Sequence, residues 1–200
     1  AKYAGVESNW EYTPAEPYPV TATKEKGEER QAPVTVSAAN WPFTAEAARE
    51  MQRQAGGGQQ RVVDLGGGVS LSLVRVPAGE FVMGSDDETA QEQPRHRVKI
   101  EKPFWISESE VNNAAYFTFK PDHNASVFDQ QWKDHVRLGY YANYAEQPAV
   151  RMSWNDADAF CAWLGKKAGL KAALPTEALW EWGCGAGSGT AMSFGAKESD

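Results

Sequence analysis

Residues 153–184 constrain this chain more than any other stretch, because they carry start and stop signals for two helices. In Ser153-Trp154-Asn155-Asp156 a capping hydroxyl stands three residues before a carboxylate. This is an acidic variant of the box that satisfies the orphan N–H groups of a helix start, and it predicts a helix beginning at Trp154. Ala157, Phe160, Cys161, Leu164 and Ala168 then share one face, and Gly169 stands where a helix stop needs positive φ. After Leu174-Pro175, Thr176 caps a second helix through Cys184, with Glu177 in its first turn. Trp180 and Trp182 read as packing residues, since indoles bury large areas.

Upstream, the period changes from helical to alternating. Residues 69–76, with Leu71, Leu73 and Val74, predict a strand. Pro77-Ala78-Gly79-Glu80 predicts a turn and residues 81–83 a returning strand, which together make a hairpin. Residues 84–94 form a polar loop, after which Val98, Ile100, Phe104 and Ile106 resume even spacing and predict a third strand. Val111, Ala114, Ala115 and Phe119 predict a short amphipathic helix within residues 110–120. Residues 120–145 lack a period and read as a surface excursion pinned by Phe128, Trp132 and Tyr140.

The first 60 residues differ. Pro14, Pro17, Pro19 and Pro33 interrupt a polar stretch with no sustained period, which predicts an extended arm. Its large apolar members, Trp10, Tyr12, Tyr18 and Trp41, leave two readings open, a segment draped over a folded surface or a free one. Thr44 caps a short helix over residues 45–55 that Gly56 stops, and Met51 and Ala48 give it only a weak apolar stripe. Residues 56–60 read as a glycine hinge. The expected organisation is therefore an arm, 1–60, and a folded part, 61–200.

Composition decides several function classes. The chain has 200 residues, 20 basic against 27 acidic side chains, a formal charge of −7 and a pI near 5.1. That is the wrong sign for neutralising nucleic-acid phosphates or anionic membranes. No apolar run approaches the roughly 20 residues of a spanning helix, and the first residues do not read as a signal peptide. The sequence begins at Ala1 rather than Met and is expected to be a processed or excised piece. Two cysteines, Cys161 and Cys184, do not make the disulfide framework of a miniprotein.

Residues able to carry chemistry are few. His96, His123 and His135 show no metal-ligand spacing, and His96 reads as a loop-shaping residue. Asp86-Asp87-Glu88-Thr89 lacks the glycine and alternating ligands of an EF-hand and reads as a solvated loop. Gly66-Gly67-Gly68 is not a phosphate cradle, because it opens no helix.

Five stretches in order carry a family resemblance: VRVPAGEFVMGS (74–85), QPRHRVKI, PFWISESEVNNAAYFTF, PAVRMSWNDADAFCAWL and LPTEALWEWGCGAG. Together they resemble the sulfatase-modifying-factor family over roughly residues 65–195. The resemblance implies a C-type-lectin-like α+β fold, loop-rich, with short helices flanking small twisted sheets. In formylglycine-generating members a peptide cysteine is oxidised by oxygen, using Cu(I) held by two cysteines of the domain's second half. The GNVWEW-like and RGGSW-like motifs that the resemblance places before those cysteines do not appear by Asp200, and the family's calcium ligands also lie largely downstream.

Cys161 and Cys184 match family positions that serve structure. They read as buried free thiols or as disulfide partners of a missing segment, and a pairing with each other is left open. Glu177 and Glu181 lie in a signature whose role is mainly architectural, and Gly185, Gly187 and Gly189 in the loop after it. No catalytic, cofactor-binding or metal residue is therefore assigned in this chain, and copper and calcium belong to the complete domain. The expected function is that of a binding or recognition module in a larger bacterial protein. The alternative is part of a copper-dependent formylglycine-generating oxidase. The expected partner is a protein or peptide ligand, or the second half of the domain, and the expected location is secreted or periplasmic.

Overall fold

A computed structural model of the chain describes residues 20–22, 36–86, 91–125 and 141–190, the first group as backbone only. Two three-stranded antiparallel sheets organise it. One has the order β2 (Gln60–Gly66), β3 (Val69–Val76), β6 (Phe104–Ser107). The other has β1 (Val20–Ala22), β5 (His96–Ile100), β4 (Gly79–Met83). The helices are α1 (Ala45–Gln54), α2 (Asn113–Phe119), α3 (Trp154–Ala168) and α4 (Glu177–Gly185).

The strand pairing departs from the sequence expectation in two places. Residues 69–76 and 81–83 do not form a hairpin. Both edges of β3 are already filled, by β2 from Gln60↔Val74 and by β6 from Leu73↔Ser107, so β4 pairs with β5 in the other sheet. The hairpin lies one turn earlier, between β2 and β3, with Gly66 opposite Val69. The single strand expected across Val98, Ile100, Phe104 and Ile106 is two strands in different sheets. Pro103 falls between them, where a residue without an N–H cannot continue a ladder.

The helices follow their caps. The Ser153 hydroxyl accepts from the Asp156 N–H at 3.1 Å, the Asp156 carboxylate accepts from the Ser153 N–H at 3.2 Å, and Gly169 ends α3 at φ 65°. Thr176 accepts from the Leu179 N–H at the start of α4. Asn112, which the periodicity did not single out, caps α2 by accepting from the Ala115 N–H at 2.9 Å.

Each sheet buries one face under helices. Val63, Leu65, Leu71 and Leu73 pack on Ala115 and Tyr116 of α2 and on Phe160 and Leu164 of α3. Phe81, Val98 and Ile100 of the second sheet, joined by Phe104 from β6 of the first, pack with Ala178, Leu179 and Trp182 of α4. Fully burying one such large apolar side chain is worth about 1.5–3 kcal/mol. Trp180 is a correction: it is 57% exposed, on the opposite side of α4 from Ala178 and Leu179, so only Trp182 of the two indoles packs.

The leading segment is draped rather than free over residues 36–59. Trp41, Phe43 and Met51 pack against the second core. The Phe43 N–H donates to the Gly187 carbonyl at 2.9 Å, and a Cβ on Gly187 would overlap the Phe43 ring. Arg75 fastens the other end: its N–H donates to Gln59 O at 2.9 Å, its guanidinium to Ala55 O at 3.3 Å, and its carbonyl accepts from Gln52 Nε2 at 2.7 Å. The glycine run is thus tied to β3 at both of its ends. β1, also from the arm, adds an edge strand with Val20 opposite Ile100. Trp10, Tyr12, Tyr18, Phe128, Trp132 and Tyr140 lie outside the described residues.

Candidate functional site

A groove of about 590 Å³ opens between α1 and the β4–β5 edge of the second sheet. Its apolar part is Phe43 and Met51 from the leading segment, with Trp182 from α4. Trp182 is held on three sides. Its Nε1 donates to Pro77 O at 2.8 Å, Phe43 meets it edge-on at 5.6 Å, and Phe81 lies against it at 5.4 Å. Glu50 on α1, Glu80 on β4, Lys99 on β5 and Glu101 just beyond it are also among the lining residues, although Glu80 and Lys99 alternate with Phe81 and Ile100 and so leave the sheet on the face away from Trp182. Arg53 and Gln54 hydrogen-bond the Glu50 carboxylate and hold its pKa below the usual range. Sequence reasoning missed this groove, because its walls come from segments far apart in the chain. The available signal was the Phe43 and Met51 pair flanking a helix cap.

The cysteines do not build a site. Cys161 is half-buried on α3, beside the first core, and burial pushes its thiol up to about 11, with Asp158 adding a smaller upward push. Cys184 is exposed on α4, which packs on the second core, and both are free thiols. A Cu(I) pair needs two converging thiolates. A neutral thiol on one helix and an exposed one on another do not fit that ion, and no step is derived through it.

Other sequence candidates have structural surroundings. Glu181 accepts from the Gly84 N–H at 3.2 Å and fixes the start of the polar loop. Burial raises its pKa, and Glu177 adds a smaller upward contribution, but Glu177 itself faces solvent. His96 Nδ1 lies 3.0 Å from Pro94 O, and His123 Nε2 lies 2.9 Å from Val150 O with its ring edge-on to Tyr116 at 4.8 Å. Asp86 meets the Arg95 N–H at 3.4 Å, whereas Asp87, Glu88, Thr89 and His135 lie outside the described residues. Gly67 and Gly68 form the turn between β2 and β3. Among the described residues no three His, Cys, Asp or Glu side chains come together as a metal site, and no helix is long and apolar enough to cross a membrane.

Two small antiparallel sheets, short flanking helices and a large share of irregular chain define a C-type-lectin-like α+β protein, in line with the fold of PvdO from Pseudomonas aeruginosa. That structure is 30% identical, aligns at a TM-score of 0.56, and is matched over 72% of this chain and 58% of PvdO. The chain belongs to the sulfatase-modifying factor enzyme 1-like domain family, whose profile matches residues 69–199. Mouse formylglycine-generating enzyme is 29% identical over 155 residues, covering 58% of this chain and 40% of that enzyme. The bovine inactive Cα-formylglycine-generating enzyme 2 is 29% identical over 161 residues, covering 61% of this chain and 51% of that protein. The chain thus spans about half or less of the length of these relatives.

Proposed function

We propose that this chain is the leading part of a sulfatase-modifying-factor-like domain that works as a binding or recognition module within a larger bacterial protein. The observation that carries this reading is the groove beside α1. It is concave and lined in part by the apolar side chains of Phe43 and Met51, as ligand sites are. The bovine relative named as inactive supports the view that the family's fold serves without the oxidation.

A second reading, part of a copper-dependent formylglycine-generating oxidase, draws on the 29% identity to the mouse enzyme. One experiment separates the two. The intact polypeptide is incubated with copper, oxygen and a cysteine-containing peptide, and the peptide mass is followed. The module reading expects an unchanged peptide. Conversion of the cysteine to an aldehyde overturns it.

A further inference from the structure

Every buried member of the two cores lies at Val63 or later. The leading segment supplies only partly buried side chains, Trp41, Phe43 and Met51, laid against the second core from outside. None of the ten residues of α1 is buried. Both cores are therefore closed without this segment, which precedes the family match and adheres to a finished surface. We propose that residues 41–55 are a releasable strap: they leave the surface around Gly79 and Trp182 as one unit, with α1 melting, while both cores stay folded.

Three observations carry the assignment. The first is how the strap is fastened, at two ends and one point between them. The Phe43 N–H donates to Gly187 O at 2.9 Å and its ring meets Trp182 edge-on. At the other end the Arg75 guanidinium donates to Ala55 O at 3.3 Å, and Gln52 Nε2 donates to Arg75 O at 2.7 Å. Between these ends Met51 is the side chain of α1 packed against the core. The second is the quality of the Arg75 clasp. Its guanidinium lies over the Trp105 ring at 5.1 Å, but its Nε is buried without a hydrogen-bond partner, so desolvation offsets part of what the clasp contributes. The third is the strap's own weakness. A helix of ten residues is shorter than the roughly 12–15 needed for marginal stability alone, so α1 does not persist once it leaves the surface. The adjoining Gly56, Gly57 and Gly58, held at φ 70°, 72° and 84°, regain more backbone freedom on release than other residues would. Segments with few buried contacts open at lower free energy than the whole chain unfolds.

Release leaves Trp182 seated, because its bond to Pro77 O and its contact with Phe81 both lie outside the strap. The face of the indole that Phe43 covers becomes accessible. Phe43, Ala47 and Met51 line the groove and move with the strap, so the groove beside α1 is the closed form of a wider apolar site. The strap is independent of the module reading and holds for either function of the complete domain.

The test is native-state amide hydrogen exchange of the full chain, read by mass spectrometry. After correction for intrinsic rates, residues 47–55 should exchange at least about 100-fold faster than the centre of α3. Phe43→Ala and Arg75→Met, which keeps the stem but loses the bond to Ala55, should each speed exchange at 47–55 about fivefold or more and leave α3 within about twofold. Should Arg75→Met loosen α3 as well, Phe43→Ala decides, since Phe43 belongs to no strand or helix.

Exchange of residues 47–55 at the rate of α3 overturns the proposal. So does equal acceleration of α1 and α3 in Phe43→Ala, which would make the strap part of the global fold. An unchanged rate at 47–55 in Phe43→Ala also overturns it, because fraying of α1 alone is insensitive to a side chain outside the helix. None of these outcomes bears on the copper assay, so the module reading stands or falls separately.

Discussion

Gly79 lies directly against the Trp182 indole: a Cβ at Gly79 would sit 2.6 Å from Cζ2 and 2.8 Å from Cη2 of that ring. The absence of a side chain at the start of β4 lets α4 close on the second sheet and brings Met51 of α1 to the same spot, where its Cε is 3.4 Å from that position. One glycine thus joins the sheet, the last helix and the leading segment.

Gly79→Ala should therefore destabilise the protein by about 1–3 kcal/mol, the range expected when a filled core must accommodate an extra carbon. Denaturant unfolding followed by tryptophan fluorescence measures it. An unchanged midpoint would mean that Trp182 has room the structure does not show.

Tyr116 makes the opposite prediction. Its side chain is 1% exposed and its hydroxyl has no hydrogen-bond partner among the described residues, so its burial carries a desolvation cost. Burial accordingly raises its pKa. Tyr116→Phe should increase stability by about 0.5–1.5 kcal/mol, since the ring contacts with Phe119 and Phe160 remain. A loss of stability in chemical denaturation would show that the hydroxyl has a partner.

Lys120 reaches from the end of α2 to the first turn of α3, with Nζ 3.1 Å from the Asp156 carboxylate. Hydrogen bonds from Ser153, then from Lys120, lower the Asp156 pKa from 3.8 to about 2. Its stabilising contribution is complete above the ordinary aspartate value and is lost as pH falls from there through about 2. Asp156→Asn should cost about 1 kcal/mol near neutral pH, in line with a helix cap and a partly exposed ion pair. The gap between wild type and variant should close on acidification below pH 3.8. Unfolding curves across that range test it, and a constant gap contradicts the assignment.

The two thiols should differ in reactivity. At pH 8 a thiol titrating near 11 is thiolate about one part in a thousand, so Cys161 should alkylate slowly in the folded chain, while the exposed Cys184 reacts first. Mass spectrometry under brief alkylation should find a single adduct, on Cys184. Two adducts formed at equal rates would contradict the burial of Cys161.

Local signals were legible and long-range pairing was not. Thr44, Ser153 and Thr176 each cap the helix that the sequence assigned to them, because a cap is decided within four residues. The partner of β3 was misread, because whether residues 79–83 or residues 60–66 lie beside it depends on which edges other strands have filled. Trp180 and Trp182 are two residues apart and chemically identical, yet one is exposed and the other buried, since the packing face of α4 is fixed by the sheet beneath it. The groove was illegible for the same reason: Phe43 and Trp182 lie far apart in the chain and meet only through the packing of the second core.

The module reading is tested most directly by the mass of a cysteine-containing peptide incubated with the intact polypeptide, copper and oxygen. The predicted result is an unchanged peptide mass. Conversion of the cysteine to an aldehyde would contradict the reading.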